Sequence, residues 1–334
     1  FRSLSISGDV LINGGTLSVT VANNIADTST VTMTSGTFNM AAVDTIGSLV
    51  FNGGSFTGSS TLTLASPALA ALSIGDGVTL SIPTTFSSSG GLTYTGTTTG
   101  STISGALNLG TSLAHTFNIN DGAASVDLDI TSVISGTNAT VTMSTGSGTL
   151  RYSGVGANTY TGLTSISAGT LSLNKTAGVV AIGGDVTVAG GTLTLASSDQ
   201  ISNSSVMNLS SGTFNMGGNA ETIGQLNYLG GTFTQGGGTL SLSSNGTALT
   251  MRNTTISGPL ALTGGGSITF DNTNNGTATL SGSIDLGGLV SSFDIADGTA
   301  SSDMTVSGSL ANGGVTKLGA GTLTFSGTAS NSYT

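Results

Sequence analysis

Gly36-Thr37-Phe38-Asn39-Met40 returns letter for letter as Gly212-Thr213-Phe214-Asn215-Met216 in a chain of 334 residues. Gly8-Asp9-Val10 recurs as Gly184-Asp185-Val186 at the same offset. Asp121-Gly122 recurs as Asp297-Gly298, and Asp127 maps onto Asp303, again without a change of offset. Gly148-Thr149-Leu150 and Asn158-Thr159-Tyr160-Thr161 return as Gly321-Thr322-Leu323 and Asn331-Ser332-Tyr333-Thr334, at an offset three positions shorter. The chain therefore reads as two tandem modules, residues 1–183 and 184–334, expected to share one continuous core. Internal repetition of this kind decides the fold class before local propensities do.

A shorter period lies inside each module. The triplet Gly-(Thr or Ser)-(Leu or Phe) starts at Gly148, Gly169, Gly191, Gly212 and Gly231, and also at Gly15, Gly36 and Gly54. Successive starts fall some twenty positions apart. That length suffices for one coil of short strands and turns, but not for a core, so neighbouring coils have to stack. Within the unit, Thr16-Leu17-Ser18-Val19-Thr20-Val21 alternates polar and apolar residues, which places Leu17, Val19 and Val21 on one face of a strand. Val31/Met33, Phe38/Met40, Leu62/Leu64, Leu171/Leu173 and Leu193/Leu195 repeat the pattern. Helical stripes are scarce; Pro67 to Leu72 is too short to hold a helix alone. Between the strands stand Asn13-Gly14, Asn52-Gly53, Gly183-Gly184 and Asn245-Gly246, pairs that supply positive φ. Short strands with such turns also suit a meandering barrel or sandwich. A single coil period, and the replacement of Phe38, Phe56 and Phe117 by Phe214, Phe233 and Phe293, favour an all-β, right-handed parallel β-helix (β-solenoid) of about 19–22 residues per coil. At about 4.8 Å per coil, some fifteen coils predict a rod of about 70 Å.

Composition narrows the function. Charged residues are 6% of the chain, against about 25% in ordinary domains. A mean hydropathy of +0.31 and 37% hydrophobic residues argue against disorder. The five basic residues, Arg2, Arg151, Lys175, Arg252 and Lys317, are dispersed, so no patch forms for nucleic acid or for an anionic membrane surface. No apolar run is long enough for a membrane-spanning helix. Cysteine is absent, which removes disulfides and thiolate metal sites and is compatible with either redox compartment. Phe1 and Thr334 correspond to positions inside the repeat, an expectation that the chain belongs to a longer polypeptide. Its partners would then be the flanking coils, and unpaired coil edges would favour head-to-tail association into fibres.

Residues 157–171, Ala-Asn-Thr-Tyr-Thr-Gly-Leu-Thr-Ser-Ile-Ser-Ala-Gly-Thr-Leu, resemble the autotransporter-associated β-strand repeat, also called the passenger-associated transport repeat. Asn158, Thr159, Tyr160, Thr161, Gly162, Gly169, Thr170 and Leu171 carry the resemblance. Gly321, Thr322, Leu323, Asn331 and Tyr333 belong to a second, partial copy. The match covers only a short part of the chain, and neither a barrel domain nor a protease domain is recognisable. The resemblance implies a right-handed parallel β-helix on a bacterial surface, exported through an outer-membrane barrel. It also implies a repeat that serves passenger translocation or folding rather than chemistry.

Candidate chemistry is sparse. His115 is the only histidine, so a Ser-His-Asp arrangement has to centre on it with Asp121 nearest. The matching segment, Gly288-Leu289-Val290-Ser291-Ser292, has no histidine, and the sequence favours a solvated turn histidine. Asp127 and Asp129, two apart on a strand, read as a solvent-facing pair, with calcium binding the weaker alternative. The second module keeps Asp303 but has Thr305 in place of the second carboxylate. Gly265-Gly266-Ser267-Ile268-Thr269-Phe270-Asp271 departs from the calcium-binding nonapeptide. Ser172-Leu173-Asn174-Lys175 matches a Ser-x-x-Lys pattern on a strand, where that chemistry does not operate. No cofactor is expected. Thr-x-Thr arrays at Thr30/Thr32/Thr34, Thr61/Thr63 and Thr192/Thr194 are compatible with an ice-binding ladder or with ordinary β-favouring surface residues. The sequence therefore predicts a non-enzymatic stalk or fibre segment of a bacterial surface-exposed or secreted repeat protein. Its alternative is an adhesin or glycan-binding surface that uses Tyr94, Tyr152, Tyr160 and exposed Thr and Asn.

Overall fold

The computed structural model describes residues 6–333; Phe1, Arg2 and Thr334 lie outside them. Among the described residues there are thirty-four strands and no helix. Contacts divide the chain into two units, Phe1–Gly183 and Gly184–Thr334. Each unit is a parallel β-solenoid whose coils carry up to three short strands.

In the first unit one coil runs through Ser48–Phe51, Ser55–Gly58 and Leu62–Leu64, three strands that alternate inward and outward residues. Parallel pairing stacks each on its neighbours in adjacent coils. The first face is a ladder Val31–Leu49–Leu72–Leu92–Phe117, every member fully buried. A second face stacks Ile103, Ile130, Tyr152 and Leu173, and a third stacks Ile46, Leu64 and Phe86. In the second unit the ladders are Met207–Leu226–Leu249–Ile268–Phe293 and Leu240–Leu260–Ile284–Leu310. Burial of each such side chain is worth about 1.5–3 kcal/mol, and a coil contributes several. Like residues meet across coils as the sequence suggests: Phe38 lies 5.6 Å from Phe56, and Phe214 stacks on Phe233 at 5.2 Å.

The sequence separation of ladder partners ranges more widely than the triplet spacing conveys: it is short at Asp44/Leu62 and much longer at Ser101/Leu128. The strands keep register while the corners absorb the difference in length. Glycine serves the corners in two ways. Gly36 and Gly212 adopt φ of +80° and +72°, the left-handed region closed to most side chains. Gly53 does not need positive φ; a Cβ there would lie 2.3 Å from the Thr34 carbonyl of the preceding coil. Close stacking of backbones, as well as turn geometry, therefore selects glycine.

Candidate functional site

The residues with chemical potential are mostly inside. Asp127 is 1% exposed, which corrects the expectation of a solvent-facing pair with Asp129. Its Oδ1 accepts the Gly122 amide at 2.8 Å and its Oδ2 accepts the Thr149 amide of the next coil at 2.7 Å. Asp303 does the same in the second unit, accepting Gly298 at 2.8 Å and Thr322 at 2.7 Å. Both oxygens of each carboxylate are thus engaged in closing a turn and clamping two coils. Asp129 accepts from Arg151 at 2.6 Å and from the Ser153 hydroxyl at 2.7 Å. This contact holds the Arg151 guanidinium above its ordinary range. Lys175, also buried, donates to the Ser153 and Ser132 carbonyls at 2.9 and 3.3 Å, and burial lowers its pKa. Asp271, in the nonapeptide-like segment, pairs with the Thr273 hydroxyl and with Arg252, which lower its pKa. Among the described residues no cluster of three or more His, Asp or Glu is placed to hold a metal ion.

His115 lies on the strand Ala114–Ile119 and is 1% exposed, so it is not a solvated turn residue. Nδ1 sits 2.7 Å from the Gly90 carbonyl and Nε2 sits 2.7 Å from the Leu109 carbonyl. The ring ties three segments together against Phe86, 4.9 Å away, and both nitrogens are occupied by backbone. The strand pattern missed this because alternation here puts a polar residue at an inward position. Tyr94, Tyr152 and Tyr160 are fully buried, which removes them from any glycan-binding surface.

The repeat-motif residues hold coils together. Asn158 accepts the Ile134 amide at 2.9 Å and donates to the Ala181 carbonyl at 2.8 Å, bridging three successive passes of the chain. Asn331 accepts the Leu310 amide at 2.8 Å. The Tyr160 hydroxyl meets Thr164 Oγ1 at 2.8 Å, and Thr161 Oγ1 accepts the Asn138 amide at 2.9 Å. At Gly162 a Cβ would lie 2.2 Å from the Ala139 carbonyl, and at Gly321 it would lie 2.3 Å from that of Ala296. Gly169 has φ of +64°. Thr170 and Leu171 pair with Thr149 and Leu150, and Leu323 pairs with Met304. Tyr333 differs from Tyr160; it is 40% exposed and stacks on Phe325.

Two further carboxylates escaped sequence reasoning. Asp44 accepts the Asn24, Ile25 and Thr45 amides, and Glu221, close to one module further on, accepts those of Gln200 and Ile201. Burial pushes the Glu221 carboxyl up to about 7 against the opposing pull of these amides. The module offset, relaxed by one position and applied to acids irrespective of Asp or Glu, would have paired them.

The cavity that recurs is a surface groove. In the first unit it measures 300 Å³ and is lined by Asp27, Thr28, Thr30, Gly47, Ser48, Ala65, Ser66 and Pro67. In the second it measures 510 Å³ and is lined by Asn203, Ser204, Val206, Gly224, Gln225, Ser243, Ser244 and Asn245. These are equivalent positions. Gly47 and Gly224 each turn a corner in one residue, between neighbouring coils with longer corners, and the depression follows. A Cβ at either glycine would lie 2.8 Å from the carbonyl of Thr28 or Ser204. The lining offers hydroxyls and amides. Asp27 becomes Asn203, so the two grooves share hydrogen-bonding capacity and not charge.

Comparison with protein-family models, with curated proteins and with solved structures finds no match to this chain.

Proposed function

We propose that the chain is a non-enzymatic stalk or fibre segment of a large bacterial surface-exposed or secreted repeat protein of autotransporter type. The observation that carries this reading is the duplicated use of buried carboxylates. Asp127 and Asp303 commit both oxygens to backbone amides, one in their own turn and one in the next coil, and Asp44 and Glu221 accept amides of the preceding coil. Carboxylates that an acid–base or metal site would present are here taken up by the scaffold. Each coil adds ladder hydrogen bonds and a slice of Leu, Val and Phe core, so extension proceeds by repetition. The resemblance of residues 157–171 to the passenger repeat supports export to the cell surface.

The test is length. A chain carrying one additional copy of residues 8–183 should gain about 4.8 Å of maximum dimension per added coil in small-angle X-ray scattering. A dimension that grows only as the cube root of mass would contradict a stalk.

A further inference from the structure

The second unit repeats a tetrapeptide: Thr255-Ile256-Ser257-Gly258, Thr279-Leu280-Ser281-Gly282, Thr305-Val306-Ser307-Gly308 and Thr324-Phe325-Ser326-Gly327. Parallel pairing puts Thr255, Thr279, Thr305 and Thr324 in one register. Amide bonds from Ser281 to Ile256, Ser307 to Leu280 and Ser326 to Val306, at 2.9, 2.9 and 3.0 Å, carry that register on to the serines. Ile256, Leu280 and Val306 point inward and are 1% exposed, so the flanking Thr and Ser share the outer face. Two straight hydroxyl rows result, with about 4.8 Å between coils and about 7 Å between rows.

A glycine row runs beside the serines. A Cβ would lie 1.9 Å from the Gly258 carbonyl at Gly282, 1.8 Å from the Gly282 carbonyl at Gly308 and 1.9 Å from the Ser307 carbonyl at Gly327. No side chain stands on the glycine side of the serines, and none of the eight row positions is charged. Ser302 extends the array, its Oγ 2.8 Å from Thr324 Oγ1. Thr and Ser are common strand-surface residues, and Thr192, Thr213 and Thr232 form another uniform row of the same unit, but the row beside it, Thr194, Asn215, Thr234, and two further outward rows do not hold their chemistry. One runs Thr222, Ser241, Ala261, Asp285, Ala311, and another Thr187, Asn208, Asn227, Thr250, Thr269, Asp294.

We propose that this double row binds an extended, uncharged β-1,4-linked polysaccharide laid along the direction of coil stacking, one sugar residue per coil. A hydroxyl both donates and accepts, which suits sugar hydroxyls presented in either sense. The coil advance is close to that of one residue in an extended pyranose ribbon, and a straight row does not follow a helical glycan. With no charge in the rows, binding should be insensitive to salt.

The experiment sediments the full chain with microcrystalline cellulose and with chitin, at low and high salt. Retention on at least one, unchanged by salt, is expected. Thr279→Val with Thr305→Val keeps the β-branched shape while removing hydroxyls, and should lower retention about tenfold. Ser281→Ala with Ser307→Ala should do the same through the second row, and provides a further variant should the first not fold. Thr63→Val with Thr85→Val, in the first unit, should leave retention unaltered. Absence of retention on both polymers, or equal retention by the row variants, overturns the proposal. Ice-growth inhibition without glycan retention overturns it as well, assigning the rows to ordered water. The stalk reading stands or falls separately, because it predicts length and not retention.

Discussion

Replacing Asp127 by Asn removes a charge and leaves one oxygen where two amides need acceptors. Either Gly122 or Thr149 then faces an NH2 group at hydrogen-bond distance inside the protein. A hydrogen bond to a charged group contributes about 1.5–3 kcal/mol, and a buried donor without a partner costs about 1–3 kcal/mol. These overlap, so the expected destabilisation is about 2–3 kcal/mol. Asp303→Asn should cost the same, because its bonds to Gly298 and Thr322 repeat the same two lengths, 2.8 and 2.7 Å. Urea denaturation gives the magnitude, and hydrogen exchange gives the location: Gly122 and Thr149 should lose protection in one variant, Gly298 and Thr322 in the other. The wild-type midpoint should be the same in millimolar calcium and in chelator. A loss no larger than that of an ordinary surface substitution, about 0.5 kcal/mol, would refute a purely structural role for these carboxylates. Unchanged protection or a calcium-dependent midpoint would refute it too.

Glu221 makes stability depend on pH. Its folded carboxyl titrates at about 7, against 4.5 for the free group, so between these values the folded state binds a proton that the unfolded state has lost. The associated stability is present below about pH 4.5 and is lost as pH rises through about 7. The difference from the free group corresponds to about 3 kcal/mol. Denaturation curves at pH 4.5, 6 and 8 should show that decline in the wild type and not in Glu221→Gln; parallel curves would contradict it. Ser291 stands where the first module has His115, and its Oγ is buried without a partner among the described residues. Ser291→Ala should therefore stabilise by about 1 kcal/mol in thermal or urea denaturation, and a loss of similar size would show that the hydroxyl is used. Gly53→Ala forces a methyl against the Thr34 carbonyl and should cost about 1–3 kcal/mol by the same measurement; a neutral result would mean that the corner relaxes freely.

The coil architecture was legible because it rests on patterns a sequence displays: alternation within strands, glycine triplets at coil spacing, and Phe38 and Phe56 returning as Phe214 and Phe233. Environments of single polar residues were less so. Asp127 lies just outside its strand, where alternation says nothing about direction, and the amides that draw it inward come from a turn at Gly122 and from Thr149, where the next coil's strand begins. His115 looks like a surface residue until the Gly90 and Leu109 carbonyls are placed on either side of its ring. Tyr94, Tyr152 and Tyr160 are amphipathic, and only the stacked ladders show that their rings belong to the core. The grooves at Gly47 and Gly224 depend on differences in corner length between adjacent coils, which no single repeat displays. The Thr-x-Ser-Gly series was readable in principle, but the uneven steps between Thr255, Thr279, Thr305 and Thr324 hide it from a search at a fixed period.

Parallel, in-register stacking is the claim on which the rest depends, and cysteine pairing measures it directly because the chain has no native cysteine. Thr279 and Thr305 are ladder partners, as are Thr63 and Thr85. Each pair should lie about 4.8 Å apart between Cα atoms, within disulfide reach, whereas Thr279 and Ser307 should lie about 8 Å apart and out of reach. Mild oxidation should close Thr279→Cys/Thr305→Cys and Thr63→Cys/Thr85→Cys, and leave Thr279→Cys/Ser307→Cys open. Failure of both in-register pairs, or equal closure of the offset pair, would contradict the stacked-coil structure.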